Sequence, residues 1–208
     1  MNIIKSCEQG SAEWLALRLG KVTASKMKDL LSKGRGAAQS KTAETYMIEL
    51  IAEKLTGQSK PFFENDAMRW GTETEPQARE MYSVNNNFIG VEEVAFVEHN
   101  EFIGISPDGL IGDKGLLEIK CPNTTTQLKR ALSDDYSADY KAQIQCQLWV
   151  TEREWCDFVS FDPRLECDAG YLQQRVVRDE EYIKEMQIKS YLFVDKMNEL
   201  IIKLKGDL

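Results

Sequence analysis

Apolar residues recur along the chain at two spacings, which predict helices in some stretches and strands in others. Positions three and four residues apart indicate amphipathic helices, whereas alternating positions indicate strands. The predicted helices cover residues 11–19, 42–55, 66–82, 140–151 and 179–205, with shorter ones beginning near Thr23 or Ser25 and near Thr125. The predicted strands cover residues 91–98, 103–106, Gly115–Lys120, Trp155–Phe161 and Tyr171–Val177. Leu55 and Leu204 belong to the apolar faces of two of these helices, so we expect both to point inward.

One stretch in the middle of the chain, SPDGLIGDKGLLEIKCP, carries the strongest candidate chemistry. Residues 103–106 and Gly115–Lys120 are predicted to pair as a hairpin across a Gly-Asp-Lys-Gly turn. Side chains alternate between the two faces of a strand, so Glu118 and Lys120 would point the same way. Asp108 would lie near the open end of that face. The sequence therefore predicts that two carboxylates and an ammonium converge.

Such a group suits a divalent cation better than it suits a protein core. Mg²⁺ prefers oxygen ligands and keeps several waters, one of which can become a nucleophile. A lysine beside it can orient that water or offset charge developing on a phosphate. The order Asp…Glu-x-Lys, at Asp108, Glu118 and Lys120, resembles the signature of the PD-(D/E)xK metal-dependent nucleases. The alternative is that Glu-Ile-Lys is an ordinary half-exposed strand and Pro-Asp-Gly an ordinary turn.

The charge and the composition change this interpretation only slightly. The net charge is −8, but residues 1–60 contain ten Lys and Arg against six Asp and Glu, whereas residues 61–208 contain sixteen against twenty-eight. A basic segment on an acidic body suits a DNA channel; the alternative is that this distribution of charge arises by chance. The five cysteines form no Cys-x-x-Cys pair, which indicates reduced thiols, and the single histidine, His99, argues against zinc sites and Ser-His catalysis. The absence of a long apolar run or a signal-peptide pattern favours a cytoplasmic protein.

Further polar residues are candidates for binding phosphate or metal. Arg18 precedes the predicted helix start near Ser25, and the free amides and hydroxyls of a helix start bind phosphate. The alternative there is a capped helix with a solvated basic face. Arg35 lies in a loop of small residues, where it either enters a minor groove or has no role. Glu73 or Glu75, just before Pro76, could supply a third metal ligand or could simply be exposed.

Two glutamines, Gln143 and Gln147, lie four residues apart on one face of a largely buried predicted helix. Buried amides need hydrogen-bond partners. Water or phosphate in an active site would supply them.

The segments EWLALRLGKVTASK, RWGTETEPQARE, GISPDGL, LLEIKCP and AQIQCQLWV, in that order, resemble the lambda-type phage recombination exonucleases, the viral recombinase family. The resemblance covers the chain to about residue 165 and implies an α/β restriction-endonuclease-like core, with a mixed central sheet flanked by helices in a single domain spanning residues 1–208. Helices 11–57 would form part of the DNA-end site, residues 66–177 the catalytic core and residues 179–205 a terminal helix. The implied activity is processive, Mg²⁺-dependent 5′→3′ degradation of linear duplex DNA that leaves 3′ single-stranded tails.

The resemblance also implies roles for individual residues. Asp108, Glu118, Glu75 and the Ile119 carbonyl would bind metal; Lys120 and Gln143 would act at the reacting centre; Arg18, Ser25 and Ser106 would hold the 5′-phosphate; Arg35 would contact a groove and Met68 would wedge the strand fork. It further implies two Mg²⁺ ions per site, replaceable by Mn²⁺, a ring-shaped homotrimer around DNA and a single-strand annealing protein as partner. The protein would act in the cytoplasm of a bacterial host of a phage or prophage. The alternatives are a DNA-end-binding scaffold with a vestigial metal site, and an endonuclease or junction resolvase on the same core.

Overall fold

The computed structural model describes residues 1–34, 40–59 and 65–206. Its helices are α1 (Ala12–Arg18), α2 (Met27–Leu30), α3 (Lys41–Thr56), α4 (Asp66–Asn85), α5 (Thr124–Ala131), α6 (Lys141–Thr151) and α7 (Glu180–Lys205). Its strands are β1 (Asn2–Ile4), β2 (Val22–Thr23), β3 (Phe96–Glu98), β4 (Ile103–Ile105), β5 (Gly109–Ile111), β6 (Gly115–Lys120), β7 (Trp155–Phe161) and β8 (Tyr171–Val177). The sequence pattern does not predict β1, β2 and β5, which are too short to show alternation.

The helix ends follow from local side-chain chemistry. Ser11, Ser40, Asn123 and Asp179 each cap the start of a helix by accepting hydrogen bonds from backbone N–H groups in its first turn. Gly57 ends α3 with φ +67°, a left-handed conformation that costs glycine little. These caps explain why the helix boundaries lie close to those expected from the sequence.

The strands form two mixed four-stranded sheets rather than one central sheet. Their strand orders are β1-β3-β4-β2 and β5-β6-β7-β8. The pairs β2–β4 and β6–β7 are parallel, and the other neighbouring pairs are antiparallel. An isolated bridge between Glu92 and Leu110 joins the edge of the second sheet to the segment that leads into the first.

The predicted hairpin is wrong in one of its two strands. β6 pairs with β5, in the register Gly109↔Leu117, whereas residues 103–106 contribute β4 to the other sheet. Only three residues separate β5 from β6, and Gly112 among them has φ +48°, so the tight turn joins β5 rather than β4 to β6. Pro107 cannot donate to a strand ladder, which favours the break after β4.

The strand expected at residues 91–98 is shorter for a related reason. Glu92 exchanges backbone hydrogen bonds with Leu110, while the Ala95 N–H donates to Ile4 at the end of β1. The segment therefore changes from one sheet to the other along its length, and only Phe96–Glu98 forms a strand.

α4 is one continuous helix from Asp66 to Asn85, with Pro76 inside it. A proline within a helical stretch can begin a new helix at its first turn or kink the existing one. Because the helix does not restart there, α4 brings its N-terminal residues and Glu75 into one rigid element.

The core lies on both sides of the second sheet. One buried cluster includes Leu116 and Phe158 of the sheet together with α6 and α7, and a second includes Leu117 and Ile119 together with α4. The even-numbered residues of β6 therefore face α6 and the odd-numbered ones face α4. Leu55 and Leu204 do not face the core as expected: they lie in the last turns of their helices and are 42% and 64% exposed.

All five cysteines are free thiols, in agreement with the sequence interpretation. Across the described ranges, none of the helices has the length and apolar character required to span a bilayer.

Candidate active site

Glu118 and Lys120 lie on the same face of β6, as their spacing predicts. The Glu118 carboxylate is fully buried, and Lys120, whose side chain is 28% exposed, donates to its Oε1 atom. Burial alone would lower the pKa of Lys120, but the charges of Glu118 and Asp108 outweigh burial and raise that pKa above its ordinary value. Lys120 is therefore a stable cation at the edge of a buried acidic group.

Asp108 lies one residue before β5 and reaches the same site. Its Oδ2 atom accepts a hydrogen bond of 2.6 Å from the Ile119 N–H. The β5–β6 pairing ends at Gly109↔Leu117, so this carboxylate, rather than a backbone carbonyl of a longer β5, binds the next free N–H of β6. Burial raises the pKa of Asp108 well above its ordinary value, and the nearby charge of Glu118 raises it further, while Lys120 opposes both. The structure therefore brings together Asp108, Glu118 and Lys120 although the predicted hairpin is wrong.

Glu75 is the acidic residue of α4 that approaches this group. It is half-buried, whereas Glu73 is exposed. Burial raises the pKa of Glu75; Arg79 and Lys120 lower it, and Glu118 adds to the rise. Arg79 donates to Glu75 at 2.5 Å and also pairs with Glu93 at 2.9 Å. Of the two candidates Glu73 and Glu75, Glu75 is thus the one that interacts electrostatically with Glu118 and Lys120 of β6.

Both predicted glutamines of α6 bind Glu118. The Gln143 amide donates to Glu118 Oε1 at 2.5 Å, and the Gln147 amide donates to Oε2 at 2.7 Å. Water or phosphate was expected as the partner of both amides, and a role at the reacting centre was assigned to Gln143 alone; the partner of both is Glu118. The spacing of four residues was the signal for Gln147, because it places both amides on one helix face.

The donor set fits a hard divalent cation. Asp108, Glu118 and Glu75 supply carboxylate oxygens, and burial together with mutual repulsion raises the pKa of Asp108 and Glu75, a repulsion that a cation would relieve. In the described part of the chain, however, no three His, Cys, Asp or Glu side chains are grouped so that they could hold one ion as they stand. Lys120, Gln143 and Gln147 already occupy the Glu118 oxygens.

A second polar group lies two residues from Asp108 along the chain. Arg18 donates to the Ser106 hydroxyl at 3.3 Å, and the Trp14 indole N–H donates to the same oxygen at 2.9 Å. The Arg18 guanidinium also lies 4.2 Å above the centre of the Trp14 ring. Burial lowers the pKa of Arg18, with Tyr46 and Glu53 opposing. The structure thus joins Arg18 and Ser106, and it adds Trp14, which is not among the residues expected to hold the 5′-phosphate.

The remaining predicted DNA contacts have different outcomes. The Ser25 hydroxyl lies 3.4 Å from that of Thr23, whose N–H donates to Tyr46, so Ser25 reaches the Arg18 group only indirectly. Met68 is 40% exposed in the first turn of α4, as a side chain that contacts DNA must be. Arg35 lies outside the described residues.

Comparison with known proteins assigns the family. Residues 13–154 match the model of the YqaJ-like viral recombinase domain, and the chain belongs to that family. It is 40% identical to an alkaline exonuclease, LHK-Exo, from Laribacter hongkongensis; the match covers 95% of this chain and 97% of that one, with a TM-score of 0.86, or 0.87 for LHK-Exo in complex with dAMP. The predicted fold class and family are therefore confirmed.

More distant relatives add less. A phage-related exonuclease from Haemophilus somnus 129PT shares the fold, with 19% identity, a TM-score of 0.73 and coverage of 88% of this chain and 96% of that one. An uncharacterized protein of Acanthamoeba polyphaga mimivirus, R354, is 30% identical over 174 residues, which are 75% of this chain and 29% of that protein. The chain thus spans under a third of the length of that viral relative.

Proposed function

We propose that this protein is a Mg²⁺-dependent exonuclease that processively degrades the 5′-ended strand of linear duplex DNA and leaves a 3′ single-stranded tail. The observation that carries the proposal is the convergence of Asp108, Glu118 and Lys120, with Glu118 buried and Lys120 at the solvent edge. A structural ion pair would not require a second carboxylate, that of the half-buried Asp108, which raises the cost of the group. A cation-binding catalytic site would.

Asp108, Glu118, Glu75 and the Ile119 carbonyl would hold the metal, with two Mg²⁺ ions in each site and Mn²⁺ as a substitute. A bound divalent cation would lower the pKa of a coordinated water and offset charge on the phosphate. The hydrogen bond from the Ile119 N–H supports this arrangement because it fixes Asp108 beside β6 at 2.6 Å. The oxygen-only donor set favours Mg²⁺ or Mn²⁺ over softer metals.

Lys120 would hold the attacking water and stabilise the charge that develops on the phosphate. Its ammonium group lies at the Glu118 Oε1 atom on the open side of the site, which suits this positioning and electrostatic role. Gln143, half-buried and bonded to the same Glu118 oxygen as Lys120, would share in orienting groups at the reacting centre.

Arg18 and Ser106, together with Ser25, would grip the terminal 5′-phosphate. Ser106 and Asp108 are separated by a single residue, so this pocket lies roughly 7 Å of extended chain from the carboxylates. A fixed short distance between a terminal-phosphate pocket and the cleavage site would limit each reaction to one nucleotide at a 5′ end. Contacts to phosphate set polarity and register without reading bases, so we expect little sequence preference.

The larger assembly is part of the same proposal. Met68, exposed at the start of α4, would separate the strands at the fork, and Arg35 would contact a groove. A homotrimeric ring would bring the basic N-terminal segments to a central channel, which would let an acidic chain bind DNA. The partner would be a single-strand annealing protein that loads on the 3′ tail, in the cytoplasm of a bacterial host of a phage or prophage.

A linear duplex labelled at either the 5′ or the 3′ end of one strand tests the proposal. With Mg²⁺, we expect mononucleotides from the 5′-ended strand and a growing 3′ tail, and we expect Lys120→Ala to lower this activity strongly with little change in DNA binding. Release from the 3′-ended strand would refute the direction. Cutting of closed circular duplex would instead identify an endonuclease or junction resolvase.

A second candidate, a DNA-end-binding scaffold with a vestigial metal site, has one observation in its favour. As they stand, the described acidic side chains are not grouped around an ion, and three donors occupy Glu118. End binding without any Mg²⁺-dependent turnover would support the scaffold.

A further inference from the structure

We infer that Gln147 is a positioning residue that fixes the rotation of the Glu118 carboxylate and so presents one defined oxygen to the site. This inference rests on the proposed function. The partners of the two Glu118 oxygens differ in exposure. Oε1 binds Lys120 and Gln143, both of which reach the open side, whereas among the described residues Oε2 binds only Gln147, which is fully buried.

The hydrogen bonds of Gln147 itself indicate why a glutamine stands here. A carboxylate only accepts hydrogen bonds, so the amide must direct its NH₂ group toward Glu118. This orientation leaves the Gln147 Oε1 atom buried and, among the described residues, without a hydrogen-bond partner. An unpaired buried carbonyl oxygen is costly, and an apolar side chain of similar volume would avoid the cost. The donor to Glu118 is the benefit that offsets it.

The surroundings of Gln147 make it a rigid support. Its neighbours in α6, Cys146 and Leu148, are fully buried. The Thr151 hydroxyl donates to the main-chain carbonyl of Gln147 at 2.7 Å. Gln147 is therefore closed off from solvent and DNA. It can act on the reaction only through Glu118.

When Gln147 fixes Oε2 of Glu118, Oε1 is the oxygen that faces Lys120 and the open side. Without the Gln147 donor, the carboxylate can rotate about its terminal bond, and its buried oxygen loses its partner. The expected consequence is weaker cation binding and slower turnover with unchanged affinity for DNA. A purely structural glutamine would change stability alone.

The chain offers a matched control in Gln145. It is also buried in α6, but its amide donates to the Val177 carbonyl at 2.9 Å and its oxygen accepts from the Asp179 N–H at 2.9 Å, without contact to Glu118. Gln147→Met removes the donor at similar volume, and Gln145→Met removes the same group two residues earlier in α6, where it does not contact Glu118. Gln147→Asn keeps an amide on a shorter side chain, and Gln145→Asn is its control.

The experiment measures Mn²⁺ binding by calorimetry without DNA, the Mg²⁺ dependence of nucleotide release, and kcat and KM for linear duplex. For Gln147→Met we expect about a 10- to 100-fold loss in metal affinity, the usual effect of removing a partner of a metal ligand, with a lower kcat and the same KM. Gln147→Asn should lose less. If Gln147→Met does not fold, the comparison of Gln147→Asn with its control Gln145→Asn provides the test instead.

Metal affinities for the Gln147 variants that match those of the Gln145 variants would overturn the inference. Failure of the proposed function gives a different result. In that case the wild-type protein releases no nucleotides with Mg²⁺, while the Mn²⁺ titrations still compare Gln147 with Gln145.

Discussion

Replacing Arg18 with alanine should selectively remove the preference for 5′-phosphorylated DNA ends. In the described residues Arg18 forms no ion pair; its hydrogen bond goes to the neutral Ser106 hydroxyl at 3.3 Å, and its guanidinium stacks on Trp14. Arginine remains protonated even where burial lowers its pKa. A half-buried guanidinium that forms no ion pair among the described residues, and that is held by a ring and a hydroxyl, is prepared to receive an anion.

The size of the effect follows from the bond that is lost. Hydrogen bonds to charged groups contribute about 1.5–3 kcal/mol. At roughly 1.4 kcal/mol for each factor of ten, the loss in kcat/KM on phosphorylated ends should be about 10- to 150-fold. Ends that carry a 5′-hydroxyl make no such bond, so their rate should change far less. Arg18→Lys keeps the charge but loses the planar fork and the stacking, and we expect an intermediate loss.

The assay compares initial rates on matched linear duplexes that carry either a 5′-phosphate or a 5′-hydroxyl. Lys196→Ala is the control for loss of one positive charge, because Lys196 is in an exposed ion pair with Glu199 on α7. Equal losses on both kinds of end in Arg18→Ala, or equal wild-type rates on both, would refute the assignment of the phosphate pocket.

Four other predictions follow from contacts in the described residues. Lys120→Ala should lower kcat by about 10²- to 10³-fold with little change in DNA affinity, and a loss in affinity alone would contradict its role. Chelation by EDTA should stop cleavage but leave circular dichroism unchanged, because apolar side chains pack on both sides of the second sheet without the help of a metal. Asp157→Ala should lower the free energy of unfolding by about 1–3 kcal/mol, because Tyr82 and Arg175 both donate to this buried carboxylate; urea denaturation measures it, and no change would contradict it. Burial would raise the pKa of Asp162, but hydrogen bonds from Arg164 and Thr124 outweigh burial and lower it. Because the folded-state pKa is lowered, the stabilisation is complete above the unfolded-state pKa and is lost as the pH falls through the folded-state pKa. Wild type and Asp162→Asn should therefore differ more in stability at about pH 6 than at about pH 2.

The sequence pattern was sufficient where periodicity and capping residues determine the structure. β7 and β8 have the predicted bounds, and α6 places Gln143 and Gln147 on one face because they are four residues apart. Period-two alternation likewise places Glu118 and Lys120 together. These relationships are local, so they can be derived without knowing which elements pair.

Pairing between distant elements was harder to predict. β4 and β5 are both three-residue apolar segments, and only the three-residue turn before β6 favours β5 as its neighbour. The contact of Arg18 with Ser106 joins residues 88 positions apart, and no local rule predicts it. The resemblance to a known family supplied that association before the fold did.

The role of Gln147 was missed for another reason. Its spacing indicated a shared face with Gln143, but only the structure shows that the shared partner is Glu118 and that the amide oxygen has no hydrogen-bond partner within the described chain.

The most direct measurement of the central claim is a crystal structure of the protein soaked in Mn²⁺, with diffraction recorded at the manganese absorption edge. We predict an anomalous peak within metal-ligand distance, roughly 2.1 Å, of a carboxylate oxygen from both Asp108 and Glu118. Crystals with no anomalous peak there, in which Lys120 and the two glutamines still hold Glu118, would contradict the proposed metal centre.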